Sequence, residues 1–281
     1  MNFDFDALLA ASSTDEPCRY RETDAILYSL GVGFGQDSAD YRERDYVYEG
    51  RALRTVPSMA ANLLARDFLD SHGWDGRHLF VVEQKLELYR PLPARAELQA
   101  DRRVVAAIDH GEEQGVSIMT ESEVRMTKDG TVLFTLSNTL VSNAVNVPNS
   151  SGPLPHILPE RDADLSCELH CGRNLPLIFR LGGDRSAVYA DNAAARALGF
   201  EVSPVQEQCV AGIACRAILS TICEFDFTLV SGFDLRFTAP VYPGDEITTE
   251  MWQERNIVSF RCLVKDRGVV VVDNGKCTLA V

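Results

Sequence analysis

Apolar and polar positions along this 281-residue chain follow two rhythms in turn, and the order of those rhythms repeats. Between Ser58 and Asp70 the apolar residues (Met59, Leu63, Leu64, Phe68, Leu69) recur at helical spacing, and the pattern stops before His72 and Gly73. Past Leu88–Leu98 the rhythm changes to alternation over residues 99 to 109, 115 to 127 and 131 to 142, which predicts three strands. Lys128-Asp129-Gly130 is the turn that makes two of them a hairpin. The second half replays this order. A stretch at 208 to 223 is apolar nearly all round and predicts a buried helix. Strands are then expected near 247 to 253, 257 to 265 and 269 to 280, with Lys265–Gly268 where the first half has its own Lys-Asp-Gly turn. Pro91 and Pro240 each stand seven residues before an aliphatic that enters a strand, Leu98 and Ile247.

Between the two halves lies Asn143–Asp164, with four prolines, Ser150-Ser151-Gly152 and little periodicity. The expected organisation is therefore a first half over residues 1–145, a linker over 146–165 and a second half over 166–281. Each half is a long buried helix followed by an antiparallel meander. The helix covers one face of a curved sheet, and joining the two sheets edge to edge removes an exposed strand from each.

Composition narrows the partners. Hydrophobic residues make up 46% and charged residues 24%, enough to build a substantial core. With 27 basic against 41 acidic residues the net charge is -14, which repels nucleic acid and anionic membranes. No apolar run reaches the roughly 18 residues of a membrane helix. The opening Met1–Asp6 lacks a secretory pattern and Thr278–Val281 carries no retention or peroxisomal address, so a cytoplasmic location is expected. Eight cysteines form no regular framework. Cys209, Cys215 and Cys223 fall in the apolar helix as small buried hydrophobes. Cys167, His170 and Cys171 match no familiar zinc spacing, so no metal is expected. Gly31, Gly33 and Gly35 follow a helix instead of a strand, which rules out a dinucleotide loop and leaves no cofactor motif.

Four stretches carry a family resemblance. Tyr20–Gly33 looks like an opening helix, Leu86–Pro93 and Arg236–Asp245 like paired proline strands, and Phe179–Phe200 like a catalytic loop. Together they resemble the MaoC-like double hot-dog dehydratases, whose best-known members are the R-specific 2-enoyl-CoA hydratases of the hydratase 2 type. The resemblance implies an α+β double hot-dog: two helix-wrapped antiparallel sheets forming a pseudo-dimer within one chain, with the hydratase-like loop in the second half. It implies an acyl- or enoyl-thioester as partner, carried on CoA or a carrier protein. Homodimerisation of the chain is left open.

The family's site uses an aspartate and a histidine to hold water and share protons, and a helix N-terminal amide to stabilise the thioester oxyanion. Asp184 matches the aspartate. Ser186 stands where the family has asparagine, Ala187 where it has proline, and Tyr189 where it has histidine. The His-Gly pair before the long helix is Gln206-Glu207, and its first-half counterpart is Val81-Val82, although Glu83 and Gln84 remain. The substitutions fall on the chemistry and spare the scaffold. A phenol, with an ordinary pKa of about 10, does not take a proton at neutral pH as imidazole does.

The catalytic expectation is therefore Asp184 as base, with Tyr189 as donor or water-holder, supported by Ser186. The amide of Glu207 or Gln208, beside Gln206, is the oxyanion donor, and Val81, Val82, Arg185 and Arg196 are substrate contacts. Two alternatives stay open. One is a different reaction on the same thioester (isomerisation, epimerisation or hydrolysis) with Glu207 as base or nucleophile. The other is a binding protein that retains the acyl site without turnover.

Overall fold

A computed structural model describes residues 4–36, 40–50, 52–64, 68–69, 72, 79–111, 115–142 and 155–280. The chain begins with helix α1 (Phe5–Leu9), strand β1 (Ser12–Tyr20), helix α2 (Glu22–Gly31) and two single turns, α3 (Arg44–Val47) and α4 (Met59–Asn62). Strands β2 (Phe80–Leu88), β3 (Ala96–Asp109), β4 (Val116–Met126) and β5 (Val132–Val141) complete the first half. The second opens with β6 (Leu165–His170), then short helices α5 (Leu175–Phe179) and α6 (Asn192–Ala197), and the long helix α7 (Glu207–Thr221). It closes with β7 (Val230–Phe237), β8 (Glu246–Glu254), β9 (Ile257–Val264) and β10 (Val269–Leu279).

The strands form one ten-stranded antiparallel sheet in the order β1-β3-β4-β5-β2-β7-β10-β9-β8-β6. From either edge inward the order within a half is the same: β1-β3-β4-β5-β2 matches β6-β8-β9-β10-β7. The halves meet where β2 pairs with β7, Glu83 opposite Arg236 and Leu86 opposite Phe233. Equivalent strands that pair antiparallel are related by a local two-fold, the pseudo-dimer expected of a double hot-dog. The two hairpin turns sit at matching places, and each ends on a left-handed glycine, Gly130 (φ 70°) and Gly268 (φ 62°). Residues 155–164 run from the linker over the second half, where His156 bonds Ser259 (2.8 Å) and the Trp252 indole donates to the Arg161 carbonyl (2.8 Å).

Helix α7 has no exposed face: every residue from Gln208 to Leu219 is buried. It packs on β6 and β8, and on α4 from the first half. Its other side receives α2 so closely that a Cβ at Gly212 would come within 2.3 Å of Val32 Cγ1 and 2.9 Å of the Tyr28 hydroxyl. The helix expected over Ser58–Asp70 is shorter than its pattern suggested. It is one turn at Met59–Asn62, with Phe68 and Leu69 helical again and residues 65–67 and 70–71 outside those described. The three cysteines of α7 and its C-terminal end are buried, as expected of small hydrophobes.

One charge lies inside this packing. Arg216, near the middle of α7, donates to Glu43 Oε1 through Nε (3.0 Å) and Nη2 (2.7 Å), and both side chains are almost fully enclosed. Glu43 Oε2 accepts the Gly35 amide (2.7 Å), and the guanidinium lies over the Phe34 ring (5.5 Å). The segment between α2 and α4 is thereby fastened onto the long helix. Glu43→Ala strands the guanidinium and is expected to lower the unfolding free energy by about 3–5 kcal/mol, read by urea or thermal unfolding. Arg216→Met combined with Glu43→Leu, which removes both charges, is expected to recover most of that loss.

Candidate functional site

The loop after α5 is shaped by its glycines and by Asp184. A Cβ at Gly183 would meet Asn62 Oδ1 at 2.6 Å, so a larger residue would displace the Asn62 side chain from the loop. There Asn62 Nδ2 donates to the Gly182 carbonyl (3.0 Å), joining the two halves. Asp184 Oδ1 accepts the Ser186 amide (2.8 Å), an Asx turn that fixes the carboxyl at the bend. A 3-10 turn at Ala187–Tyr189 follows and leads into α6, whose N-cap is Asp191.

Asp184 faces a cavity of about 420 Å³, within the range of small-molecule sites. Both halves line it. Phe179 and the Gly182–Arg185 bend form one wall, Leu63 and Leu64 another, and the inner face of β3, β4 and β5 its floor. Gln206 and Gln208 bring the N-terminus of α7 to the same space. Gln206 is the N-cap but gives the helix no side-chain hydrogen bond. Its amide Nε2 donates instead to the Pro176 carbonyl (3.1 Å). The N-terminus of α7, with its first-turn N–H groups and the positive end of the helix dipole, thus reaches the cavity without a side-chain cap.

The expected site residues divide into two groups. Asp184, Arg185, Gln206, Gln208 and Val81 line the large cavity, and Ser186 supports Asp184 through its backbone. Tyr189 is not a lining residue. It is buried with Phe80, Val188, Ala195 and Phe200, and its hydroxyl donates to Glu207 Oε2 (2.9 Å). Glu207 and Val82 face a separate cavity of about 60 Å³ behind the helix terminus. The Tyr189 hydroxyl expected to hold water beside Asp184 is therefore turned to a carboxylate on the far side. Arg196 lies on α6, its Nε donating to the Glu201 carbonyl (3.2 Å), and is not a lining residue of the large cavity.

The floor of the cavity carries polar residues that no motif in the sequence marks. Arg102 on β3, Thr120 and Ser122 on β4 and Asn138 on β5 are polar at inward positions of otherwise apolar-in strands, and all line the large cavity. The signal was present as a break in the alternation.

Two helix-wrapped sheets joined by a pseudo-two-fold, with an aspartate bend and a bare helix terminus at one cavity, define a double hot-dog protein of the hydratase type. A family model described as the MFE-2 hydratase 2 N-terminal domain matches residues 18–143, and one described as the MaoC like domain matches 159–274. Enoyl-CoA hydratase 2, peroxisomal, of Arabidopsis thaliana is 30% identical over 96% of this chain and 94% of its own length. Enoyl-CoA hydratase ChsH3 of Mycobacterium tuberculosis is 27% identical over 96% of this chain and 97% of its own. The crystal structure of a MaoC-like dehydratase from Phytophthora capsici superposes with a TM-score of 0.83 at 22% identity, covering 99% of this chain and 98% of that one. The chain belongs to the hydratase 2 branch of the MaoC-like family.

The Tyr189–Glu207 bond ties the catalytic-loop segment to the first turn of α7. A hydrogen bond to a charged, largely enclosed acceptor is worth about 1.5–3 kcal/mol. Tyr189→Phe is expected to lower stability by about that amount, measured by thermal or urea unfolding, with little change in the far-ultraviolet circular dichroism.

Proposed function

We propose that the protein adds water to a 2-enoyl thioester, and in reverse removes it from a 3-hydroxyacyl thioester, with Asp184 as its proton-handling group. The observation that carries this reading is that the Asp184 carboxyl and the N-terminus of α7 open into one cavity deep enough to enclose an acyl chain. Asp184 is the one carboxylate among the described lining residues.

In the hydration direction a water held by Asp184 attacks C3 and its proton passes to the carboxylate. Electron density moves through C2 to the thioester oxygen, which the N–H groups of Glu207 and Gln208 stabilise. Asp184 then returns the proton to C2. One carboxylate taking and giving the same proton places hydrogen and hydroxyl on the same face. Gln208 Oε1, buried and without a hydrogen-bond partner among the described residues, lies at the same cavity and is placed to hold the water. Glu207 as base or nucleophile finds no support, because its carboxylate accepts the Tyr189 hydroxyl and faces the smaller cavity. The eight free cysteines fit a reducing compartment, in keeping with a cytoplasmic location.

A second reading draws on Tyr189. Since its hydroxyl is committed to Glu207, the site has one proton-handling group where the family has two, which suits an acyl-thioester-binding protein without turnover. Incubation with crotonyl-CoA separates the two by the loss of enoyl absorbance. Wild-type turnover that falls by about a hundredfold to ten-thousandfold in Asp184→Asn supports hydration. Thermal stabilisation by the ligand with no turnover supports binding alone.

A further inference from the structure

The inner face of a helix-wrapped sheet is expected to be apolar, and on the central strand of the second half it is. β9 presents Val258, Phe260, Cys262 and Val264 to the core. Its counterpart β4 presents Ile118, Thr120, Ser122 and Val124, with both central positions polar. Register makes these polar positions contiguous. Thr120 is opposite Asn138, Ser122 is opposite both Arg102 and Leu136, and Asn138 is flanked on β2 by Gln84. Directly opposite residues share a face, so Thr120, Ser122 and Asn138 form one hydroxyl-and-amide patch on the cavity floor.

The patch and its neighbour Gln84 are only partly satisfied by the described residues. Asn138 Oδ1 is shielded from solvent with no hydrogen-bond partner among the described residues, and neither amide atom of the neighbouring Gln84, 2% exposed, has one. Buried polar groups ordinarily find partners. A plain hydrocarbon chain laid on this floor would keep them dry and unmatched, whereas a hydroxyl or carbonyl on the chain would meet both donors and acceptors. Arg102, at the edge of the patch, has Nη1 3.4 Å from Glu16 Oε1 and stacks on the Phe68 ring at 4.7 Å. With that counter-charge in place the floor suits a neutral oxygen better than a carboxylate.

We infer that the acyl chain accepted here carries oxygen, as a hydroxyl or keto group, on its distal part, where it lies against Thr120, Ser122 and Asn138. The inference rests on the acyl-thioester reading above and names its substrate class.

The test compares 2-decenoyl-CoA with decenoyl-CoAs hydroxylated at successive positions of the distal half. The best hydroxylated chain is expected to exceed the plain one in kcat/KM by about tenfold, the worth of one good hydrogen bond. Asn138→Leu, which keeps the branched shape of the side chain, and Ser122→Ala, which removes only the hydroxyl, are expected to move that ratio toward the plain chain. Crotonyl-CoA, which has no distal part, reports on hydration alone. If it is not turned over, the same ratio is read in the dissociation constants of decanoyl-CoA and hydroxydecanoyl-CoA. A wild-type protein that takes the plain chain as well as or better than every hydroxylated one overturns the inference. So does a wild-type preference that both folded variants retain.

Discussion

A helix with no polar face has to be enclosed on every side, and the enclosure of α7 organises the rest of this molecule. The second-half strands β6 and β8 take one side of it, and α2, with the segment that follows, takes the other. Two features make that second contact workable. Gly212 removes the side chain that would hold α2 away, and Glu43 neutralises the charge buried in the body of the helix, Arg216. The N-terminus of α7 has no side-chain cap and reaches the cavity that both halves line. The place of the proposed oxyanion site follows from the packing of the helix.

The cavity exists because the repeat is imperfect. The sheets of the two halves obey one strand order about a local two-fold, but their concave sides are filled differently. In the second half a helix of fifteen residues fills that side. In the first, the residues described after Ser58 are the single turn α4 and the helical Phe68 and Leu69, and Leu63, Leu64, Phe68 and Leu69 line the cavity over β3, β4 and β5. One half therefore supplies the functional loop and the helix terminus, and the other supplies room for a chain. Neither half holds a complete site. The Asn62–Gly182 hydrogen bond and the β2–β7 pairing, which keep the halves in register, also keep the site assembled.

What the sequence disclosed depended on how local each cause was. The central strands and their turns were legible because alternation and a left-handed glycine are properties of a few adjacent residues. The edge strands β1 and β6 were not, since Ser12–Tyr20 and Leu165–His170 face solvent on much of both sides and carry little alternation. Cys167 and His170, which invited a metal reading, are strand residues, and the His170 imidazole bonds Glu246 across to β8 (2.7 Å). Asp184 was legible because two glycines and an Asx turn lie within a few residues of it. The pairing of Tyr189 with Glu207 was not, because a bond between residues this far apart is made by the fold.

That bond bears on how a changed site can still work. A carboxylate in the first turn of α7 is favoured by the helix dipole, but in the hydration proposed above it stands next to the amides that would receive a second negative charge on the thioester oxygen. Directed into the large cavity, Glu207 would oppose that charge. The Tyr189 hydroxyl holds it instead on the rear side of the helix terminus, against the small cavity, and disperses part of its charge through a hydrogen bond of 2.9 Å. Replacing imidazole by phenol and glycine by glutamate is then a coupled change. Each residue alone would harm the site, the tyrosine by burying a hydroxyl and the glutamate by repelling the oxyanion. Together they satisfy one another and leave the cavity to Asp184 and the helix dipole.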